Sequence, residues 1–218
     1  MSSEELAKRE VIVKICRRAY ERGLIMSNDG NVSVRYGGCL LITPSGLNKG
    51  FLDPDAIVSV DLENITYSGA FPPSTETLMH IRAYKARPDV SAVIHAHPPF
   101  CSGLSVAGIP LKTEILPETI ITLGRIPTVP YALPGTAALA DSINPDINKY
   151  DAVVLDHHGV LIVGADLFAA YDILERVEHV AKVQFIAEQL GGAKILPDEE
   201  ITKLEALAAE RGFRKNNL

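Results

Sequence analysis

Ala92-Val93-Ile94-His95-Ala96-His97-Pro98-Pro99 is an apolar run that ends in two histidines one residue apart and is then stopped by two prolines. In a β-strand successive side chains point to opposite faces, so residues two apart project side by side from the same edge. Two imidazoles are thereby aimed at one point. Zinc and its neighbours take neutral nitrogen donors at about 2.0–2.1 Å, usually three protein ligands in a catalytic site with one position open. A third histidine is required.

His157-His158-Gly159 supplies it, since it ends the apolar run Ala152 to Leu155 much as the first pair ends its own. Adjacent residues on a strand face opposite ways, so one of the two joins His95 and His97, and we take His158. Gly159 permits a tight backbone path beside a ligand. The alternative is that these histidines are hydrogen-bonded core or turn residues. Two strand-end clusters among only six histidines argue against it.

The 218 residues, 47% hydrophobic and 22% charged, suit one globular domain spanning 1–218 with a sizeable core. A net charge of −6 and a pI near 5.5 give no electrostatic footprint for nucleic acid, and Lys8-Arg9-Glu10 and Arg214-Lys215 read as solvated helix and tail positions. No apolar run approaches the ~18–20 residues of a membrane span, and the first residues are acidic where a secretory signal would be basic. A cytoplasmic protein with a small-molecule partner is expected. Cys16, Cys39 and Cys101 form no C-x-x-C, so neither a disulfide framework nor a cysteine zinc site is supported. They read as core residues, with Cys101, about one helical turn past His97, the one placed to approach the metal.

Periodicity predicts helices over Glu4 to Arg22, Thr75 to Ala86, Pro99 to Val106, Thr136 to Ile143, Asp166 to Leu190 and Asp198 to Glu210. Strands are predicted at Asn31 to Tyr36 and Cys39 to Thr43, a hairpin around Gly37-Gly38, and at Ile57 to Asp61, Ala152 to Leu155 and Val160 to Val163. The proline-rich stretch from Pro110 to Pro134 reads as strands and loops. With no repeat, low-complexity segment or linker, this mixture belongs to one α/β or α+β domain.

Three turns carry polar groups. Pro73-Ser74-Thr75-Glu76 precedes a helix, where Ser74 would accept from the first turn and Glu76 would favour the positive end of the dipole. A helix N-terminus with hydroxyls also binds anions, and a carboxylate there can be a general base beside a metal-bound substrate. Asp29-Gly30-Asn31-Val32-Ser33 and Thr43-Pro44-Ser45-Gly46 combine glycine with amides or hydroxyls. No P-loop or G-x-G-x-x-G is present, so a nucleotide is not indicated.

Gly30-Asn31-Val32-Ser33, Ile42-Thr43-Pro44-Ser45-Gly46, Pro73-Ser74-Thr75-Glu76, His95-Ala96-His97 and His157-His158-Gly159, taken in that order, resemble the signature of the class II aldolase/adducin family. The resemblance runs from about Arg22 to the long helix ending at Leu190. It implies an α/β fold, a three-layer α/β/α domain around a mainly antiparallel central sheet. It also implies a homotetramer with active sites between subunits, and a divalent metal, usually zinc, with Co, Mn or Fe also accepting imidazole. By matching position, His95, His97 and His158 are then metal ligands, and Glu76 is the acid/base and a fourth ligand when substrate is absent. Asn31, Ser45, Gly46, Ser74 and Thr75 fall where the family holds substrate phosphate, with Asn28 at a position that is commonly a hydroxyl residue.

The implied reaction is lyase chemistry on a small phosphorylated ketose, cleaved to dihydroxyacetone phosphate and an aldehyde through a metal-stabilised enediolate. Glu76 shuttles the proton and the phosphate gives positioning. None of the motifs contains a lysine for Schiff-base catalysis. Members of the family place tyrosines where this chain reads Lys112-Thr113-Glu114 and Arg211-Gly212-Phe213, which leaves Glu114, Glu118 or Tyr131 as the second acid. The same ligands serve a pentulose-phosphate 4-epimerase, a decarboxylase or a methylthioribulose-phosphate dehydratase. A zinc hydrolase would carry H-x-H-x-D, but Pro99 holds the aspartate position. A non-catalytic, adducin-like binding module would have lost ligands, and all three histidines and Glu76 are present.

Overall fold

The computed structural model describes residues 1–213; Arg214-Lys215, read above as a solvated tail, lies outside the described residues. In chain order the elements are α1 (Ser3–Glu21), β1 (Asn31–Tyr36), β2 (Cys39–Ile42), β3 (Val58–Asp61), β4 (Tyr67–Ser68), α2 (Thr77–Ala86), β5 (Ala92–Ala96) and α3 (Pro99–Val106). There follow α4 (Pro117–Thr122), β6 (Thr128–Val129), α5 (Ala137–Ser142), α6 (Asn144–Ile147), β7 (Ala152–Leu155), β8 (Gly159–Gly164), α7 (Leu167–Gln189) and α8 (Asp198–Glu210).

The strands form one sheet in the order β4-β3-β2-β1-β5-β8-β7-β6, antiparallel at every step except β6 to β7. The two-residue period sorts their side chains. Val32, Val34, Ile94, Ala96, Val160 and Ile162 pack with Ile12 and Cys16 of α1 and Leu174 and Val177 of α7. Leu40, Ile42, Val93, Leu161 and Val163 pack on the other face with Met79 and Tyr84 of α2, Leu139 of α5 and Ile147 of α6. The result is a three-layer α/β/α domain around a mainly antiparallel sheet, as expected. None of the helices among the described residues is long and apolar enough to cross a membrane.

Local chemistry sets the ends of the elements. The Ser2 hydroxyl accepts the Glu5 N–H to start α1, and the Asp166 carboxylate accepts the Ala169 N–H to start α7. Three expectations need correction. Arg9, read above as solvated, is buried, its guanidinium donating to the Pro54 and Ile57 carbonyls. Helix α2 begins at Thr77, not Thr75: the Ser74 hydroxyl accepts the Glu76 N–H at 3.2 Å in a tight turn, and Glu76 takes the N-cap position without capping through its side chain. The Pro110 to Pro134 stretch holds helix α4, a 3-10 turn at Thr113–Ile115 and only a two-residue strand. Pro117 is the first residue of α4, where its missing N–H costs nothing.

Candidate metal centre and active site

Asn31 stands opposite His95 across β1 and β5, and Ala96 stands opposite Val160 across β5 and β8. The start of β1, the end of β5 and the start of β8 therefore meet at one end of the sheet. His95, on the same side of its strand as Val93, turns toward α2, whose N-cap residue is Glu76.

His95 is fully buried, and its Nδ1 lies 2.9 Å from the Val160 carbonyl oxygen. A carbonyl only accepts, so Nδ1 carries the proton and Nε2 presents a lone pair. That Nε2 lies 2.9 Å from His97 Nε2 and 3.2 Å from Glu76 Oε2. His158 Nε2 is 3.5 Å from Glu76 Oε1. Burial, reinforced by the neighbouring imidazoles, pulls both His95 and His97 down to about 3, so both rings are neutral near pH 7. Lone pairs and a carboxylate facing one another repel, and a cation among them removes the repulsion. Glu76 Oε1 and His158 Nδ1 are also buried with no hydrogen-bond partner among the described residues. The ligand atoms of His95, His97 and His158 all lie within 4.8 Å of one another, so this donor set fits a divalent metal.

His157 and His158 part company for a reason the strand argument did not contain. Both lie in the turn between β7 and β8, and His157 adopts a left-handed backbone with φ of 55°. Its ring is 55% exposed and pairs with Asp156 at 3.0 Å, while its N–H donates to Ser105 Oγ. His158 is turned inward. Cys101, by contrast, is buried in the core shared with α1 and α7, and burial pushes its thiol up; it is not among the clustered ligands.

The remaining motifs border this end of the sheet. Ser45 N–H donates to the Pro72 carbonyl at 3.0 Å and Ser74 N–H to the Thr43 carbonyl at 3.2 Å, so the loops bearing Ser45-Gly46 and Ser74-Thr75 are joined by backbone bonds. Gly46, Thr75 and Asn28 are exposed, Ser45 is half-buried, and Ser74 is buried with its hydroxyl engaged by Glu76 N–H. Asn31 is buried and spends one amide hydrogen on Glu76 Oε2 at 2.8 Å. Glu114 is half-buried, while Glu118 and Tyr131 are exposed.

Two buried polar residues escaped sequence reasoning. Lys49 is 1% exposed, and its ammonium donates to the carbonyls of Asn28 at 2.8 Å, Leu47 at 2.9 Å and Pro44 at 3.4 Å. His80 is fully buried between Ser33 and Asn31. The one available signal for His80 was its position four residues after Glu76, on the same helix face.

Three imidazoles and a carboxylate gather at the end of an antiparallel sheet, bordered by hydroxyl-bearing and glycine loops, and this donor set is of the kind that a metal-dependent enzyme uses. Residues 10–185 match the model of the class II aldolase and adducin N-terminal domain, and the chain belongs to that family. An L-fuculose phosphate aldolase of Methanococcus maripaludis is 34% identical over 178 residues, 82% of this chain and 96% of its relative. A 3-oxo-tetronate 4-phosphate decarboxylase of Haemophilus influenzae is 33% identical over 208 residues, 92% and 97% of the two chains. A solved structure of L-fuculose 1-phosphate aldolase superposes with a TM-score of 0.86 at 30% identity, covering 98% of each chain. The protein is an enzyme of the lyase class.

Proposed function

We propose that the protein is a metal-dependent aldolase that cleaves a small phosphorylated ketose to dihydroxyacetone phosphate and an aldehyde. The observation that carries this reading is the Glu76 carboxylate, set between His95 and His158 with Oε1 buried and unpartnered. His95, His97 and His158 would hold the metal, with Glu76 as fourth ligand until substrate arrives. Bound there, a divalent cation supplies Lewis-acid stabilisation of the negative charge that develops on the ketone oxygen as the carbon–carbon bond breaks. Zinc suits the all-nitrogen set.

Glu76 then takes the proton from the hydroxyl beside the scissile bond and returns it to the carbon that is left. The Ser45-Gly46 and Ser74-Thr75 loops, with Asn28 and Asn31, bind the phosphate and fix the chain of the sugar relative to Glu76. Lys49, the one buried lysine among the described residues, has its ammonium occupied by three carbonyls and is no Schiff-base nucleophile. The same reading makes the protein a cytoplasmic homotetramer with sites between subunits. Its three free cysteines fit a reducing compartment, and apolar side chains such as Phe51 and Leu190, 75% and 82% exposed, offer contact surface.

The test is metal analysis of the purified protein together with a coupled assay for dihydroxyacetone phosphate across ketose 1-phosphates, L-fuculose 1-phosphate among them. Dihydroxyacetone phosphate release that is lost on chelation and restored by zinc is expected. Release of carbon dioxide from a 3-oxo acid phosphate, or recovery of only an epimer or a dehydrated ketone, would overturn the aldolase reading.

A further inference from the structure

Behind Glu76 and Asn31 runs a file of buried polar side chains, His80, Ser33 and Tyr84, that the aldolase reading does not use. Asn31 Nδ2 lies 2.8 Å from Glu76 Oε2, and Asn31 Oδ1 lies 2.5 Å from His80 Nε2. His80 Nδ1 lies 2.7 Å from Ser33 Oγ, which lies 2.9 Å from the Tyr84 hydroxyl. Ser33 and His80 are fully buried, Tyr84 is 1% exposed and Asn31 3%. Sequence and topology explain the alignment. Asn31 and Ser33 alternate with Val32 and Val34 along β1, so they face α2, and Glu76, His80 and Tyr84 recur every four residues along it.

The direction of every bond is set from the Glu76 end. An ionised carboxylate only accepts, so Asn31 must offer its NH2 there, and its carbonyl oxygen is left facing His80. That oxygen also only accepts, so His80 Nε2 must carry a proton. Burial keeps the ring neutral, with one proton to place, so Nδ1 holds a lone pair and accepts from Ser33, whose oxygen in turn accepts from Tyr84. Reversing any link sets two acceptors or two donors against each other in a buried place, which costs more than the bond is worth.

We propose that His80, held as the Nε2–H tautomer by Ser33 and Tyr84, is a positioning residue that fixes the Asn31 amide and, through it, the orientation of Glu76. Glu76 Oε2, which also lies 3.2 Å from His95 Nε2, is held by this file, and Oε1, 3.5 Å from His158 Nε2, is the oxygen without a hydrogen-bond partner among the described residues. The role of Glu76 as proton shuttle rests on the aldolase reading; the tautomer and the orientation of Asn31 do not.

Two experiments test it. The first is 15N NMR of the full chain labelled at histidine ring nitrogens, with and without zinc, the His80 signals assigned by their loss in His80→Gln. A protonated Nε2 and an unprotonated Nδ1 from pH 6 to 8 are expected in both states. A protonated Nδ1, or an imidazolium, would overturn the proposal whether or not any substrate is turned over. The second compares His80→Leu with His80→Gln, whose amide N–H can still reach Asn31 Oδ1. In the assay for dihydroxyacetone phosphate, His80→Leu should lower kcat by on the order of tenfold with KM and zinc content little changed, and His80→Gln should recover most of it. Equal loss in the two variants, or a loss that follows only their melting temperatures, would show that His80 merely fills space.

Discussion

A β-carbon on Gly159 would stand 2.6 Å from His97 Cδ2 and closer still to the Ala96 carbonyl oxygen. Gly159 opens β8 directly after His158, and it pairs back to Leu155. The strand that follows one proposed ligand is therefore in contact with the ring of another. Gly159→Ala should displace His97, costing about 1–3 kcal/mol of stability from overpacking and at least tenfold in zinc affinity. Thermal unfolding and competition with a zinc chelator measure the two effects. Unchanged zinc affinity would show that the His97 ring is free to move.

His157 and His158 are neighbours with opposite surroundings, and they make a paired experiment. His158→Ala should lose tightly bound metal and activity. His157→Ala removes a half-exposed ring whose ring partner among the described residues is Asp156, and should leave metal content and turnover unchanged. If His157→Ala instead abolished metal binding, the ligand set would have to be redrawn.

Much of this site can be read from the chain because its residues sit at the ends of strongly patterned elements. His95 and His97 inherit their direction from an apolar strand, and Asp166 marks the start of α7 by a local capping bond. What escaped reading depends on contacts distant in sequence. Lys49 looks like a solvated residue until the loop at Asn28 folds over it, and His80 lies among apolar helix residues with nothing local to show that Ser33 and Asn31 await it. Helix α4 lies inside the stretch read as strands and loops because a proline such as Pro117, which can end one segment, can equally begin a helix. Tyr67–Ser68 is an exposed two-residue edge strand, too short to leave an alternating pattern.

Lys49 joins the two loops that would hold the phosphate. Its ammonium donates to Asn28 on one side and to Pro44 and Leu47 on the other, and its own N–H donates to the Ser27 carbonyl at 2.8 Å. Lys49→Met keeps the stem but strands these carbonyls, at a cost of about 1–3 kcal/mol. Because the loops lose their mutual alignment while the histidine cluster is untouched, KM for a phosphorylated ketose should rise several-fold more than kcat falls. Denaturant midpoints and steady-state kinetics check both. An equal midpoint and an equal KM would mean that the Asn28 and Pro44 loops stay aligned without the Lys49 ammonium, through bonds such as that from the Lys49 N–H to the Ser27 carbonyl.

Stability should fall on acidification below about pH 6.5, and His80 accounts for a definite share of the fall. Burial pulls this ring from the ordinary histidine value of 6.5 down to about 3. Between those values the unfolded chain binds a proton that the native state refuses, so unfolding becomes more favourable as pH drops. The contribution is complete above 6.5 and is lost progressively toward 3, at no more than about 1.4 kcal/mol per pH unit. His95 and His97 are shifted the same way and bound metal would add to their share, so the comparison is made on chelated protein. Between pH 6 and 4 the wild-type unfolding free energy should slope more steeply than that of His80→Gln by about one proton. Parallel slopes would mean that His80 already takes up a proton in the native protein, which the lone pair facing Ser33 Oγ does not permit while the hydroxyl file keeps its direction.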